Sequence, residues 1–253
     1  MFFLGVDIGS LYTKLVVINP ENEIVHSDLF RTMARNRQKR DEIINNIYSK
    51  YKIGYTCSTG YGRKLLKSAD VIKTELYCAS AGVTQIARID KTIIDIGGED
   101  IKLLTSNSNG KVIDFYMNSK CAAGTGAFIT EVAERAELDV LEMSKLAANS
   151  KSDKELNSFC TVFAKTEIMK WIFDETSIED LAKGIYISIA NRIQKIPADS
   201  SLPVFLIGGV AFYHPYLKNI IEDRFNVEVT IPKNPQLINA FGAACIAQKH
   251  FNL

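Results

Sequence analysis

The feature that most constrains the fold is a unit that occurs twice along the sequence. An apolar, β-branched run reaches Asp7 in "GVDIGS", and a second run reaches Asp95 in "TIIDIGGED". In both copies a glycine turn and further strand-like runs follow the aspartate, and apolar runs bounded by turn residues are typical of β-strands. We therefore expect two related lobes of sheets flanked by helices, with a boundary near residues 88–92.

Composition is that of an ordinary globular protein, with 47% hydrophobic residues, 23% charged residues and a net charge of +1. This charge gives no electrostatic reason to expect a nucleic-acid partner. No apolar run approaches the roughly 20 residues that a membrane helix needs. The apolar start lacks a basic segment and is interrupted by Asp7, so it favours a buried first strand over a signal peptide.

Cysteine usage indicates a reducing environment. The five cysteines are an odd number at scattered positions: Cys57, Cys78, Cys121, Cys160 and Cys245. Such spacing is not that of a disulfide framework. We expect a cytoplasmic protein with no membrane partner, in which Cys57, Cys78 and Cys245 are buried packing residues.

Hydrophobic periodicity predicts an antiparallel meander of three strands at the start of the chain. Two late strands are predicted in "PVFLIGG" and "VEVTIP". The helical stripes predict helices in the remainder of the chain over the following ranges: 125–136, 160–173, 178–196, 213–225 and 235–249. The expected apolar faces are Phe128, Ile129 and Val132 on the first of these helices, and Phe163, Ile168 and Trp171 on the second.

Both glycine turns have the chemistry of an anion site. Glycine allows a tight turn whose N–H groups point outward and can hold phosphate. An aspartate at the strand end favours phosphate only with Mg²⁺ between them, since Mg²⁺ takes oxygen ligands. One such turn alone is weak evidence, because Asp-Gly also serves turn geometry. The pair strengthens it, and "LIGGVAF" at Gly208 and Gly209 adds a third turn that suits a nucleoside.

These motifs, together with "STGYGR", "KCAAGTG", "CTVFAKTE" and "PQLINAFGAA", resemble the superfamily of actin, hexokinase and heat-shock chaperone ATPases. Within it, the chain resembles the BadF/BadG/BcrA/BcrD ATPase family, the activators of 2-hydroxyacyl-CoA dehydratases. The resemblance implies an α/β, two-lobed, actin-like (ribonuclease H-like) fold with mixed sheets. It implies a first lobe of residues 1–91 plus 235–253 and a second lobe of residues 92–234.

The resemblance also implies an ATP/ADP and Mg²⁺ site. We expect three carboxylates to position metal and water: Asp7, Asp95 and Glu99. We expect the nucleotide to lie against the residues of the three turns and one side chain before the last helix: Gly9, Ser10, Leu11, Tyr12, Thr13, Lys14, Gly97, Gly98, Asp100, Gly208, Gly209 and Gln236. The hydroxyls of Ser10 and Thr13 and the ammonium of Lys14 are the expected phosphate contacts.

Cys121 and Cys160 each precede a predicted helix. A helix N-terminus favours a thiolate, but two thiolates do not complete a four-cysteine iron–sulfur site. A twofold dimer would supply four. The resemblance implies this arrangement, with one [4Fe–4S] cluster shared between the two subunits of a homodimer. For an arbitrary cysteine, simple packing is the more common role, and a nucleophile is disfavoured because no histidine lies nearby in sequence.

By the same resemblance, ATP hydrolysis would gate transfer of one low-potential electron from ferredoxin or flavodoxin to a partner. The partner would be a dehydratase or benzoyl-CoA reductase component with its own iron–sulfur cluster. Two other functions use the same turns: a small-molecule kinase acting on an amino-sugar-like substrate, and a non-catalytic ATP-responsive scaffold. The kinase function gives no reason for the two cysteine motifs, whereas Glu99 gives the scaffold function some weight.

Several positions depart from the usual family pattern and lie near the expected metal and nucleotide sites, four of which bear most directly on function. Glu99 stands where glutamine is usual, Ser119 where aspartate is usual, and Ala127 where arginine is usual. Lys165 stands where glutamate is usual. An extra carboxylate at Glu99 would reposition the attacking water or repel the γ-phosphate.

Overall fold

The computed structural model describes residues 1–32, 37–118, 124–157, 160–194 and 201–252. The chain divides into two compact units. The first unit consists of Met1–Ile89, Ser106–Val112 and Leu237–Leu253, and the second of Asp90–Thr105 and Ile113–Gln236. The hairpin Ser106–Val112 thus belongs with the first unit, although it lies within the range that the sequence suggests for the second.

A mixed five-stranded sheet forms the centre of the first unit. Its strands are β1 (Phe2–Ile8), β2 (Tyr12–Ile18), β3 (Ile24–Arg31), β4 (Ile53–Thr59) and β5 (Val71–Ile72), in the order β3-β2-β1-β4-β5. The first three strands form the predicted antiparallel meander. β4 pairs parallel with β1, and β5 pairs parallel with β4. The buried sides of β1 and β2 are apolar, which explains why they occupy the middle of the sheet.

Helices cover this first sheet. They are α1 (Arg37–Lys50), α2 (Glu75–Ile86) and the last helix of the chain, α9 (Ile238–Phe251). α9 carries a run of small buried residues, among them Ala240, Ala243 and Ala244. Because small side chains allow close approach, α9 packs against α2, β1 and β4 at once. The "NAFGAACIA" segment is therefore the central element of this core.

The second unit contains a sheet of the same order. Its strands are β6 (Lys91–Ile96), β7 (Ile101–Ser106), β8 (Val112–Asn118), β9 (Val204–Ile207) and β10 (Val229–Thr230), in the order β10-β9-β6-β7-β8. β9 pairs parallel with β6 and with β10. β6 and β7 are joined by a short turn, a connection that antiparallel neighbours allow. The predicted repeat of strand, aspartate, turn and strand is thus a repeat of sheet topology.

Six helices in the described residues belong to the second unit. They are α3 (Gly126–Arg135), α4 (Met143–Asn149), α5 (Thr161–Phe173), α6 (Ile178–Gln194), α7 (Gly209–Tyr213) and α8 (Leu217–Phe225). α6 is central, with Ile185, Ile189 and Ile193 fully buried. The predicted apolar face of α3 is confirmed, since Phe128, Ile129 and Val132 are all fully buried.

Two predicted helices differ from the structure. The helix expected over 213–225 is α8, which begins only at Leu217, because Pro215 lacks the N–H that would continue a helix from the end of α7 at Tyr213. The helix expected from 235 begins as a 3₁₀ turn, Pro235–Leu237, and becomes α-helical at Ile238. The short elements α4 and β5 were not predicted, since a few residues carry too little periodicity.

Cys57, Cys78 and Cys245 are buried packing residues on β4, α2 and α9, as predicted. Burial, reinforced by the neighbouring Cys57 thiol, raises the pKa of Cys78 well above its ordinary value. Burial also raises the pKa of Cys245 to about 12. The thiols of Cys78 and Cys245 are therefore protonated at neutral pH. In the part of the chain that the structure describes, no helix has the length and apolarity needed to cross a membrane.

Three polar side chains lie close together in the core of the second unit. The Tyr186 hydroxyl on α6 lies 2.8 Å from Nδ1 of His214 and 3.4 Å from the Ser144 hydroxyl on α4. Burial lowers the pKa of His214 to about 4 from its ordinary value of 6.5. The imidazole is therefore neutral in the folded protein at pH values where an unfolded chain would protonate it.

This histidine predicts a loss of stability in mild acid. Below pH 6.5 the unfolded chain binds a proton at His214 that the folded chain rejects, so the free energy of unfolding falls as the pH drops toward 4. Between pH 7.5 and pH 5 we expect a loss of about 2 kcal/mol from this residue. Urea unfolding at the two pH values measures it.

The matched comparison uses variants that cannot titrate. His214→Asn should remove this part of the pH dependence, whereas His26→Asn on the surface strand β3 should keep it. An unchanged pH dependence in His214→Asn would contradict the assignment.

Candidate nucleotide and metal site

The first glycine turn joins β1 to β2 and is held by several hydrogen bonds. The Gly9 N–H donates to the Tyr12 carbonyl at 3.0 Å, which closes the turn. Thr32 fastens it from β3, since its hydroxyl donates to the Gly9 carbonyl at 2.7 Å. Ser10, Leu11 and Tyr12 are exposed at the tip of the turn, where a ligand can reach their backbone and side chains.

Thr13 has a different environment from its neighbours in the turn. Its side chain is buried, and its hydroxyl lies 3.0 Å from the Thr32 hydroxyl. The Thr13 hydroxyl therefore holds the turn together, in contrast to the direct phosphate contact that the sequence suggests.

Asp7 is the buried charge of the first turn. The β1–β2 register places Lys14 directly opposite Asp7, and the Lys14 ammonium donates to Asp7 Oδ2 at 3.1 Å. The carboxylate is 2% exposed. Its other oxygen, Oδ1, is buried and has no hydrogen-bond partner among the described residues. A buried carboxylate oxygen without a donor has a free-energy cost that a bound cation or water would offset.

The backbone of Gly60 packs closely against that oxygen. It follows β4 with a left-handed φ of +91°, and a Cβ built on it would lie 2.5 Å from Asp7 Oδ1 and 2.4 Å from the Ile8 carbonyl. Any larger residue would therefore collide with the carboxylate oxygen and the strand backbone. The unpaired carboxylate oxygen of Asp7 is a donor of the kind that a hard cation such as Mg²⁺ takes.

The second turn repeats the first. The Gly97 N–H donates to the Asp100 carbonyl at 2.9 Å, as Gly9 does to Tyr12 in the first copy. Asp95, 3% exposed, takes the place of Asp7. Lys102 is buried, and its ammonium donates to Asp100 Oδ2 at 2.7 Å. Gly98 lies at the tip of the turn, and Glu99 beside it is exposed.

The repeat extends to the neighbouring parallel strand. Asp95 pairs with Ile207 on β9 as Asp7 pairs with Thr59 on β4, and a glycine follows each of these partners. Gly208 has a φ of +98°, and a Cβ built on it would lie 2.6 Å from Asp95 Oδ1. Both copies thus place a left-handed glycine against a buried aspartate.

Gly209 differs from the crowded Gly208 before it. A Cβ built on Gly209 would meet no atom within 4 Å, so this position faces open space. The Gly208 N–H donates to the Pro235 carbonyl at 3.0 Å, which ties the turn to the residue before Gln236. The side-chain oxygen of Gln236 is buried and has no hydrogen-bond partner in the described ranges. An amide in this state is suited to a polar ligand.

α3 is joined to the second turn through its backbone. The N–H groups of Gly126 and Ala127, the first two residues of the helix, donate to the carbonyls of Gly97 and Gly98 at 3.0 and 2.8 Å. Two of the N–H groups at the start of α3 are therefore bonded to the glycine turn.

Of the two candidate metal cysteines, the structure describes one. Cys160 is an exposed free thiol at the N-cap of α5. Cys121 lies outside the described residues, as does Ser119. Elsewhere along the described chain, no group of three or more histidine, cysteine or acidic side chains could hold a metal. Cys160 has the thiol chemistry and the exposure that a metal ligand needs.

The exposed face of α5 differs from the prediction. Phe163 is 68% exposed and Val162 is 67% exposed, so Phe163 does not belong to the buried face. The buried face consists of Ala164, Ile168 and Trp171, which follow the helical spacing of four and then three residues. The prediction was wrong because a single apolar residue at the start of a helix does not reveal the direction of its side chain.

α3 and α5 pack together and share an ion pair between Glu131 and Lys165. Lys165 is one of the departures from the usual family pattern, and here it has an acidic partner on the facing helix. Both side chains are more than a third exposed, so the pair orients the helices more than it stabilises them.

Sequence reasoning missed two residues that contact the first turn or its aspartate. Gly60 lies inside the quoted "STGYGR" motif, but its role requires the parallel pairing of β1 and β4, which no local pattern reveals. Thr32 was not singled out because it acts from the end of the third strand. The position of Gly60 directly after a predicted strand was the one sequence feature that could have indicated its role.

The sequence matches a known protein family over nearly its whole length. Residues 4–247 match the BadF/BadG/BcrA/BcrD ATPase family. The chain is 35% identical to the 2-hydroxyisocaproyl-CoA dehydratase activator of Clostridioides difficile, over 98% of this chain and 95% of that protein.

Solved structures agree with the sequence comparison. The Clostridium difficile activator with bound ADPNP has a TM-score of 0.90 at 34% identity, covering 100% of this chain and 96% of that one. Component A of (R)-2-hydroxyglutaryl-CoA dehydratase from Acidaminococcus fermentans has a TM-score of 0.91 at 32% identity, with both chains covered fully. With its two repeated sheets and aspartate turns, the chain therefore belongs to the BadF/BadG/BcrA/BcrD ATPase family and has an actin-like ATPase fold.

Proposed function

We propose that this chain is an ATP-hydrolysing activator that delivers one low-potential electron to a 2-hydroxyacyl-CoA dehydratase or a benzoyl-CoA reductase-type enzyme. The observation that carries the proposal is the backbone link between Gly97 and Gly98 of the second turn and the first residues of α3. This link joins an expected phosphate site to the helix that follows the Cys121 segment. The names of the relatives, which are dehydratase activators, support the same function.

The two turns would bind the phosphates of ATP. The backbone N–H groups at their tips suit phosphate oxygens, and the Lys14 ammonium adds a positive charge at the floor of the first turn. When bound, Mg²⁺ would neutralise phosphate charge and offer its waters to the carboxylates. Asp7 and Asp95 would orient those waters, and Glu99 would lie near the attacking one.

The adenosine end would lie against the Gly208 turn. Gly209 leaves open space there, and the unpaired amide oxygen of Gln236 offers an acceptor for a base or ribose donor. Hydrolysis converts ATP and water to ADP and phosphate. Loss of the γ-phosphate would remove its contacts with the glycine turns.

Cys121 and Cys160 from each of two chains would hold the metal site. A [4Fe–4S] cluster bound there would accept one electron from ferredoxin or flavodoxin and release it to the iron–sulfur cluster of the dehydratase or reductase. The positive N-terminal end of α5 behind Cys160 would favour an anionic group. The exposed Val162 and Phe163 would exclude water from its surroundings.

Coupling would follow from the hydrogen bonds at α3. A shift of the Gly97–Gly98 backbone on nucleotide exchange would move the first turn of α3. α5 would follow because it packs on α3 and is paired to it through Lys165 and Glu131. Binding energy at the turn would thus reach both cysteine segments through packed elements.

Removing the charge of Asp7 should abolish most ATP hydrolysis. We expect Asp7→Asn to lower kcat by about 100-fold or more, because the carboxylate would no longer position metal and water. We expect Lys14→Ala to weaken ATP binding by about tenfold or more through loss of a charged hydrogen bond. Phosphate release and nucleotide titration measure these effects.

Matched controls come from exposed residues of the same unit. Asp28→Asn on β3 and Lys52→Ala remove the same charges at surface positions and should leave hydrolysis and binding unchanged. Wild-type turnover in Asp7→Asn would exclude its assignment.

Cluster binding should depend on Cys160. Anaerobic reconstitution of the wild-type dimer should give about four iron atoms per two chains and a brown colour. Cys160→Ala and Cys121→Ala should each lose the cluster, whereas Cys245→Ala, a change at a buried packing thiol, should retain it.

Iron analysis and visible spectroscopy measure these outcomes. Full iron content in Cys160→Ala would refute the shared site, and a colourless wild-type preparation with a sugar-kinase activity would favour the kinase alternative.

The link between turn and helix is testable at Gly126. Proline is tolerated at the first position of a helix, and the extended backbone of the preceding Thr125 is compatible with it. Gly126→Pro removes the N–H that bonds to Gly97. We expect iron content to be kept but the ATP-induced change in the cluster spectrum to be largely lost.

Gly126→Ala is the control, because its added Cβ meets atoms no closer than 3.4 Å and the N–H remains. It should behave as wild type. An ATP response in Gly126→Pro equal to that of Gly126→Ala would disprove the coupling route.

A further inference from the structure

A basic cavity lies in the first unit, formed by α2, the turn between β7 and β8, and the end of α9. Its volume is about 750 Å³, within the range of sites for small organic ligands. We call it the α2–α9 cavity, defined by Lys73, Tyr77, Thr84, Lys111, Lys249 and His250. The residues of the nucleotide turns are not among its described lining residues, so it is a separate site.

The charged side chains that line this cavity are all basic. Three lysines and a histidine line it, and its described lining residues include no carboxylate. The chain as a whole has a net charge of only +1, so basic residues are concentrated here. Lys73, Lys111 and Lys249 have no ion-pair partner in the described part of the chain. A concave surface lined by one sign of charge concentrates ions of the opposite sign.

The charge at a helix C-terminus accounts for the positions of only two of these basic residues. Lys249 and His250 lie in the last turn of α9, where cations are favoured by the negative end of the helix. Lys73 precedes α2, and Lys111 precedes β8, so neither complements a helix C-terminus. Three separate chain segments thus bring ammonium groups to one cavity.

Hydrogen bonds join the two cavity walls formed by α2 and by the turn between β7 and β8. The Ser80 hydroxyl on α2 lies 2.6 Å from the Ser106 hydroxyl and donates to the Gly110 carbonyl at 2.9 Å. Gly110 has a left-handed φ of +78° and lies against Thr84. These bonds fix the turn that carries Lys111 relative to α2, so little ordering would oppose binding.

The cavity also contains an unpaired donor and an apolar surface. Thr84 is 8% exposed, and its buried hydroxyl oxygen has no hydrogen-bond partner among the described residues. The Tyr77 ring is 56% exposed at the same cavity, and Cys245 and Ile246 add apolar atoms to the lining. Such a ring can stack on a flat group of a ligand.

We propose that the α2–α9 cavity binds an organic phosphate ester, with its phosphates at the lysines and its base or apolar group against Tyr77. Nucleotides and coenzyme A share this chemistry. The Thr84 hydroxyl donates a hydrogen bond to the ligand. The site is distinct from the ATP turns and does not depend on the activator function.

Titration calorimetry on the anaerobically purified, full-length protein tests the proposal. Saturating ADP with Mg²⁺ first occupies the nucleotide turns, after which coenzyme A, AMP and inorganic pyrophosphate are added separately. We expect saturable binding of coenzyme A or AMP, with the stronger of the two identifying the source. The variant Lys73→Ala/Lys111→Ala/Lys249→Ala should bind about tenfold or more weakly, and Thr84→Val should bind a few-fold more weakly.

The control variant, Lys52→Ala/Lys67→Ala/Lys151→Ala, removes three exposed lysines elsewhere and should bind like wild type. Three results would each overturn the proposal. They are no saturable binding of coenzyme A or AMP up to about 10 mM, binding that the cavity variant retains in full, and binding of pyrophosphate alone. Loss of binding in the control variant to the same degree would also overturn it, since net charge would then be the cause.

Discussion

Two buried carboxylates, each placed against a left-handed glycine, are the constraint on which the rest of the structure depends. Asp7 and Asp95 end the central strand of their sheets, and Gly60 and Gly208 follow the neighbouring parallel strand. A side chain at either glycine would collide with a carboxylate oxygen. The parallel pairing beside each aspartate therefore requires glycine at both positions.

The two glycine turns differ in the chain segments that hydrogen-bond to them. The first turn is closed off by Thr32 from β3, so it is held within its own sheet. The second turn accepts two N–H groups from the start of α3, so it is continuous with a helix. The same fold unit is thus closed within its sheet in the first copy, and in the second it provides the connection that the proposed activator mechanism requires.

Much of this was predictable from local patterns. The meander, the repeat of strands around Asp95, the buried face of α3 and the packing role of Cys78 all follow from periodicity and residue type. The break at Pro215 and the outward direction of Phe163 were not predicted, because they depend on how a helix meets its neighbours.

By itself, the sequence determined the aspartate turns, the family and the pair of cysteine motifs, because these depend on residue type and spacing along the chain. Tertiary structure alone decided that Gly60 faces Asp7 and that Gly126 donates to Gly97. It also brought Lys73 and Lys111 into one cavity. These contacts join residues that are distant in sequence, and strand pairing and helix packing create them.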